Sequence, residues 1–134
     1  MSIYKAWIID DDVDMCKAVG LMLVVVGVQA RSFRSGVDAG RALLSDPPPD
    51  VIFLDLNMPK VDGAEFLRFV RSRYSNEQLP VVMLSVESAE TAVYTLLSAG
   101  ANAFLVKPLD VDELRKVLER VLPGFAGQNF DDIV

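Results

Sequence analysis

Residues 49–63 read PDVIFLDLNMPKVDG. Val51 to Leu54 form an unbroken apolar run, preceded by Pro47-Pro48-Pro49 and followed by a turn-forming segment. A run that short and continuous is the mark of a strand buried on both faces, as in a parallel sheet. It closes on a carboxylate, Asp55, before the chain turns through Asn57-Met58-Pro59 and Asp62-Gly63. In open α/β sheets, binding and reacting groups collect just beyond the carboxyl ends of the strands. Asp55 is therefore a candidate site residue; the plain alternative is an acid making a local turn hydrogen bond.

Outward from this strand the same punctuation repeats. Upstream, Ala6-Trp7-Ile8-Ile9 reads as a first strand ending on Asp10-Asp11-Asp12. A helix is predicted over 13–26, with Asp12 near its N-cap and Gly27 just past its end. Val28 to Phe33 alternates like a short strand, and a weak helix over 35–45 stops at Asp46. Downstream, a helix over 64–74 places Phe66, Leu67, Val70 and Tyr74 on one face. Pro80 to Leu84 is another apolar strand, ending on Ser85, and a helix over 89–99 is closed by Gly100. Ala103 to Val106 leads into Lys107-Pro108, and Asp110 opens a last helix with Leu114, Val117, Leu118 and Val121 as its apolar stripe. This alternation of strand and helix predicts a (βα)5 chain folded as a flavodoxin-like three-layer sandwich, α/β, with a parallel sheet in the order 2-1-3-4-5. The folded unit is expected over 1–122, with 123–134 a tail or the start of a linker.

Composition bounds the function. The chain has 134 residues, 51% hydrophobic and 24% charged, which suits one globular domain. Its 13 Lys+Arg against 19 Asp+Glu give a net charge of −6, which argues against direct nucleic-acid or anionic-membrane partners. The single cysteine, Cys16, rules out an intrachain disulfide or a cysteine zinc site. Histidine is absent, so His-dependent triads, His-ligated metals and a His phosphocarrier are excluded. The apolar stretch from Val19 to Val28 is too short to span a bilayer. The opening residues do not resemble a signal peptide, and the expected location is cytoplasmic.

The chemistry is expected where the strands end. Asp10-Asp11, Asp55, Ser85 and Lys107 close strands one, three, four and five, which are neighbours in the predicted order and share one edge. Two carboxylates ~4 Å apart repel by about 4 kcal/mol at an effective dielectric of 20, so the acids need counter-charge. Lys107 supplies part of it. Oxygen donors without sulfur or imidazole suit Mg²⁺ or Mn²⁺ for the rest. A cation beside carboxylates, Lys and Ser neutralises a transferring phosphoryl group, and Asp is a competent covalent nucleophile in such transfers. Taken singly, Asp12 is a helix cap, Ser85 a strand-end hydroxyl and Lys107 a surface ammonium; their coincidence carries the reading.

The acidic pair Asp10-Asp11, the segment LDLNMPKVDG around Asp55, Ser85 and Lys107-Pro108 together resemble the receiver domains of bacterial two-component response regulators, over about Tyr4 to Leu122. The resemblance implies Asp55 as phosphoacceptor, Asp11 as a direct metal ligand with Asp55, and Asp10 acting partly through metal-bound water. It also implies the main-chain carbonyl of Asn57 as a ligand, Ser85 hydrogen-bonding the acyl phosphate and Lys107 pairing with it. A cis Lys107-Pro108 bond and Phe104 as the aromatic switch, where the family often has Tyr, follow as well.

By the same resemblance, a sensor histidine kinase or phosphotransfer protein donates the phosphoryl group. The surface of helix four, strand five and helix five, including Tyr94 and Phe104, then changes to control a partner or output domain, or forms a homodimer. Such a protein is a regulatory switch, with at most self-phosphorylation from acyl phosphates and slow autodephosphorylation. Three departures bear on its kinetics: Ser85 in place of the commoner Thr, the bulky Val86 beside it, and Phe104 without a hydroxyl. Two other classes compete. A metal-dependent phosphohydrolase would carry a second carboxylate two residues after the nucleophile, where this chain has Asn57. A degenerate receiver acting as a fixed interaction module would lack some of the polar set, and here every member is present.

Overall fold

Strand and helix alternate along the chain: β1 (Lys5–Ile9), α1 (Val13–Val25), β2 (Gln29–Phe33), α2 (Gly36–Ser45), β3 (Val51–Asp55), α3 (Gly63–Arg73), β4 (Val81–Ser85), α4 (Glu90–Ser98), β5 (Ala103–Val106) and α5 (Val111–Val121). The computed structural model of the chain describes residues 3–86 and 90–126, with side chains except at 90–92. Ala89, the expected first residue of the fourth helix, and positions 127–134 of the expected tail lie outside the described residues. All four strand pairings are parallel, in the order β2-β1-β3-β4-β5. The predicted flavodoxin-like architecture is the observed one.

Helix starts follow from short polar side chains that take up otherwise unpaired first-turn N–H groups. Asp12 accepts from the N–H of Asp14 and Met15, Ser35 from Asp38, Asp62 from Glu65, and Asp110 from Glu113. Each cap is worth about 1 kcal/mol. Helix α1 stops at Val25, where the β-branched Val24-Val25-Val26 run meets Gly27 at φ 88°.

Side-chain alternation divides the core into two layers. Ala6, Ile8, Val51, Phe53, Val82, Leu84, Ala103 and Leu105 face α1 and α5, while Trp7, Ile9, Ile52, Leu54, Val81 and Met83 face α2, α3 and α4. Strands β3 and β4 are buried along their whole length, as their continuous apolar runs predict. The expected alternation from Val28 to Phe33 is not mirrored in its burial: the two end residues are buried and Gln29 to Ser32 between them are exposed. The cause is its place at the sheet edge, beyond the full cover of the helices. Just past α5, Tyr4 Oη donates to the Pro123 carbonyl at 2.9 Å and its ring meets Phe125 edge-on at 5.6 Å.

Candidate functional site: an acidic pocket at the carboxyl edge of the sheet

The alternation that builds the core also aims the site. Continuing the pattern Ala6, Ile8 brings Asp10 to the α1/α5 side; Val51, Phe53 brings Asp55 there; and Ala103, Leu105 brings Lys107. Main-chain bonds hold these ends in line: Asp10 N–H donates to the Phe33 carbonyl at 3.0 Å, Leu56 N–H to Leu84 at 2.9 Å, and Lys107 N–H to Ser85 at 2.8 Å. As a result, Lys107 Nζ lies 2.8 Å from Asp10 Oδ2 and 3.1 Å from Asp55 Oδ1. Asp10 is fully buried and Asp55 nearly so, while Asp11 is exposed at the mouth.

Asp10's second oxygen, Oδ1, accepts the Asp12 N–H at 3.0 Å, and the Cys16 thiol donates to its main-chain carbonyl at 3.3 Å. The N–H of Asn57 donates to the Asp55 carboxylate. Burial raises the Asp55 carboxyl above its usual value; the Lys107 bond opposes this and the Asp10 charge adds to it. Burial alone would lower the Lys107 ammonium, but the bonds and charges of Asp10 and Asp55 outweigh it, so Lys107 is raised.

One oxygen each from Asp10, Asp11 and Asp55 lie within 4.8 Å of one another. Against these three carboxylates stands one paired ammonium, leaving an excess of two negative charges when all are ionised. That excess and the all-oxygen donor set fit a hard divalent cation such as Mg²⁺ or Mn²⁺.

Ser85 is fully buried. It belongs to the other parity: Val81 and Met83 face α4, and so does Ser85, together with the half-buried Phe104, which packs against that same core layer. The acids and Lys107 therefore share one face of the sheet, while Ser85 and Phe104 share the other. Val86 follows at 69% exposure, so its side chain stands at the surface beside the pocket.

The turn between Asp55 and α3 is tight. Gly63 N–H donates to the Leu56 carbonyl at 3.0 Å, and a Cβ on Gly63 would fall 2.8 Å from Leu56 Cα; glycine is required there for the backbone to close. Lys60, in the same turn, holds φ 67°, a left-handed conformation costing a side-chain-bearing residue about 1–2 kcal/mol. Lys60→Gly removes that strain and gives back part of it as unfolded-chain entropy, so it is expected to stabilise the protein by roughly 0.5–1 kcal/mol in urea unfolding. The Lys107-Pro108 peptide is cis, as the resemblance implies.

One cluster lay beyond the reach of sequence reading. Arg71, on α3, binds main-chain carbonyls and the Asn102 side chain at the opposite edge of the sheet. Main-chain acceptors carry no residue-type signal, so nothing in the sequence marks Arg71.

A parallel sheet between two layers of helices, with carboxylates and an ammonium gathered at its carboxyl edge, defines the class: a doubly wound α/β domain with an acidic pocket at that edge. Residues 6–119 match the response regulator receiver domain family. The chemotaxis protein CheY homolog of Campylobacter jejuni is 30% identical over 125 residues, covering 92% of this chain and 96% of that protein. The DNA-binding transcriptional regulator NtrC of Proteus hauseri is 30% identical over 124 residues, 92% of this chain but 26% of that protein. This chain thus spans about a quarter of the NtrC relatives it matches. Among solved structures, the Vibrio cholerae chemotaxis protein CheY4 superposes with a TM-score of 0.80 at 30% identity, covering 90% of this chain and all of that one. A probable two-component system response regulator/GGDEF domain protein gives a TM-score of 0.84 at 25% identity, over 91% of this chain and 50% of that one. The chain belongs to the response regulator receiver domain family, whose general role is that of a phosphoacceptor switch in two-component systems. That role is regulatory rather than metabolic. Among the described residues, no helix is long and apolar enough to cross a membrane.

Proposed function

We propose that Asp55 accepts a phosphoryl group from a phosphohistidine on a sensor histidine kinase or phosphotransfer protein, and that the modified domain controls a protein partner or output domain. The observation that carries this reading is the Lys107 ammonium held between Asp10 and Asp55, with Asp11 completing a three-carboxylate pocket. Asp11, Asp55 and the Asn57 carbonyl would hold Mg²⁺ or Mn²⁺, with Asp10 acting through bound water; the ion supplies neutralisation of the phosphoryl oxygens.

An Asp55 carboxylate oxygen attacks phosphorus, the P–N bond to the donor imidazole breaks, and the imidazole leaves with its electron pair. This chain has no histidine, so the donor sits on another molecule. Lys107 then turns from Asp55 to a phosphoryl oxygen, and Ser85 donates its hydroxyl to another. Because Ser85 and Phe104 share the α4 side of the sheet, drawing Ser85 toward Asp55 opens space on that side for Phe104. Converting a 1:99 population to 99:1 in this way needs about 5.5 kcal/mol of differential stabilisation.

The α4–β5–α5 surface, with Tyr94 at 74% exposure, is the proposed partner or homodimer face. Residues 1–122 would form the receiver unit and 123–134 a tail or linker start. We place the protein in the cytoplasm, acting without direct contact to nucleic acid or membrane; its covalent chemistry is limited to self-phosphorylation from acyl phosphates and slow autodephosphorylation.

The test is incubation with acetyl phosphate and Mg²⁺, followed by intact mass. Wild type is expected to gain one phosphoryl group; Asp55→Asn and wild type in chelator gain none. Phosphoryl gain by Asp55→Asn, or turnover of assorted phosphate esters, would overturn the reading.

A further inference from the structure

Helix α4 runs from the site edge of the sheet, after β4, back to the opposite edge, where Gly100 and Ala101 lead into β5. Over its described side chains, its packing is sparse. Of residues 93–98 only Leu96 is buried, while Tyr94 and Leu97 are exposed at 74% and 42%. Helix α3, by contrast, buries Gly63, Phe66, Leu67 and Val70.

At its far end, beside the buried Leu96 and Ala101, α4 is tied to its neighbours by the Arg71 guanidinium. Arg71 Nε donates to the Gly100 carbonyl at 2.7 Å, Nη1 to the Leu79 carbonyl at 2.8 Å, and Nη2 to Asn102 Oδ1 at 2.8 Å. Nη1 also reaches the Ser75 carbonyl at 3.2 Å. The Asn102 amide is used on both sides, accepting the Val81 N–H at 3.0 Å and donating to the Asn76 carbonyl at 2.8 Å. Gly100 sits at φ 111°, and a Cβ there would come within 3.0 Å of Arg71 Cγ and Nε. The backbone has been brought against the guanidinium as closely as glycine permits. One side chain thus ties the end of α3, the end of α4 and the starts of β4 and β5 into one knot, using the rigid fork that lysine lacks.

We propose that Arg71 is the fixed joint about which α4 turns when Asp55 is phosphorylated, a statement that rests on the switch reading above. With nine residues, α4 is about 13 Å long. A tilt of about 4° about a fixed far end moves the end beside Ser85 by about 1 Å. The knot converts a displacement at the site edge into rotation of the exposed Tyr94 and Leu97 face, because the far end cannot follow. Without it, the whole helix slides and the face loses its defined response.

The chain's three tyrosines make this measurable. Tyr94 lies on α4, Tyr74 caps α3 and gives its carbonyl to Arg71 Nη1, and Tyr4 lies apart, on Pro123. In full-length protein labelled with fluorotyrosine and assigned by Tyr→Phe variants, fluorine NMR is recorded with Mg²⁺ before and after acetyl phosphate, with intact mass read in parallel. The Tyr94 signal is expected to shift on phosphorylation while Tyr74 holds its position. In Arg71→Lys, Asp55 is expected to gain its phosphoryl group as in wild type, since the knot lies at the opposite edge. The Tyr94 shift, however, falls by more than half and Tyr74 moves with it. Asn102→Ser, which keeps the fork and its carbonyl acceptors, gives an intermediate loss and covers the case of a poorly folding Arg71 variant.

Tyr74 shifting as much as Tyr94 in wild type, or an undiminished Tyr94 response in Arg71→Lys, would overturn the joint. If mass shows no phosphoryl gain, the switch reading fails, and the resting spectra still decide the joint. Arg71 then stands as the anchor of α4, without the phosphorylation-driven turn, if exchange broadening at Tyr94 spreads to Tyr74 in Arg71→Lys, and falls if the two variants and wild type are alike.

Discussion

Replacing Lys107 with alanine is expected to destabilise the protein by about 3 kcal/mol at neutral pH when divalent cations are withheld, because removing one partner strands buried charge. Lys107 is 12% exposed and its two partners are 1% and 6% exposed, so little solvent screening stands in for the lost ammonium. The Lys107 ammonium is raised above its ordinary value by Asp10 and Asp55 against the cost of its burial. A raised base contributes stability that is complete below the ordinary lysine range and is lost as pH climbs through the folded value. The wild-type protein should therefore lose this contribution only at strongly alkaline pH. In Lys107→Ala the deficit is expected to be full near neutral pH, to close at strongly alkaline pH where wild type loses the ammonium, and to shrink as falling pH protonates Asp55, which burial holds above its usual value. Added Mg²⁺ should recover part of it by binding the folded state alone. Urea unfolding of wild type and variant across pH, with and without Mg²⁺, measures all of this. An unchanged midpoint in the variant would mean that Lys107 does not balance the acids.

Asp55→Asn is expected to separate chemistry from stability, with opposite signs. It should abolish phosphoryl gain and, without divalent cations, make the protein more stable by on the order of 1 kcal/mol, or roughly 3 °C in thermal midpoint. The reason is the raised Asp55 carboxyl: burial and the Asp10 charge disfavour its ionised form more than Lys107 favours it. A folded-state acid raised in this way binds its proton more tightly than the unfolded chain does, so wild-type stability falls as pH rises through and above the ordinary carboxylate range. The amide carries no charge, keeps an oxygen for Lys107, and leaves Asp10 as the remaining ionic partner. Mg²⁺ should reverse the order, stabilising wild type more than Asp55→Asn, because the variant has lost a ligand. Scanning calorimetry with and without Mg²⁺ reads both halves; a less stable Asp55→Asn in chelator would show that the carboxylate is comfortable where it lies.

What the sequence made legible was whatever depends on residue type in a local pattern. Val51 to Leu54 and Val81 to Leu84 announce buried central strands because nothing polar interrupts them. Asp12 and Asp110 announce helix starts because a short side-chain oxygen is what an open first turn needs, whereas the caps Ser35 and Asp62 read only as the edge of a weak helix and as a turn. The acids, Ser85 and Lys107 stand out because they end such runs, and the parallel order carries those ends to one edge.

Less visible was anything decided by the backbone. The Arg71 knot rests on the carbonyls of Gly100, Leu79 and Ser75, and a carbonyl is the same in every residue. Lys60 in a left-handed turn violates the preference for glycine, so no local rule points to it. The split between Asp10, Asp55 and Lys107 on one face and Ser85 and Phe104 on the other was implicit in the alternation. It emerges only once strand boundaries are known to the residue, since a one-residue slip exchanges the faces.

Reductive trapping tests the role of Asp55 most directly. Protein treated with acetyl phosphate and Mg²⁺ is reduced with borohydride, which converts an aspartyl phosphate to homoserine, then digested and sequenced by mass spectrometry. Homoserine at position 55, dependent on Mg²⁺ and absent from positions 10 and 11, is the predicted result. Homoserine at Asp10 or Asp11 with Asp55 unaltered, or none at any of the three, would contradict it.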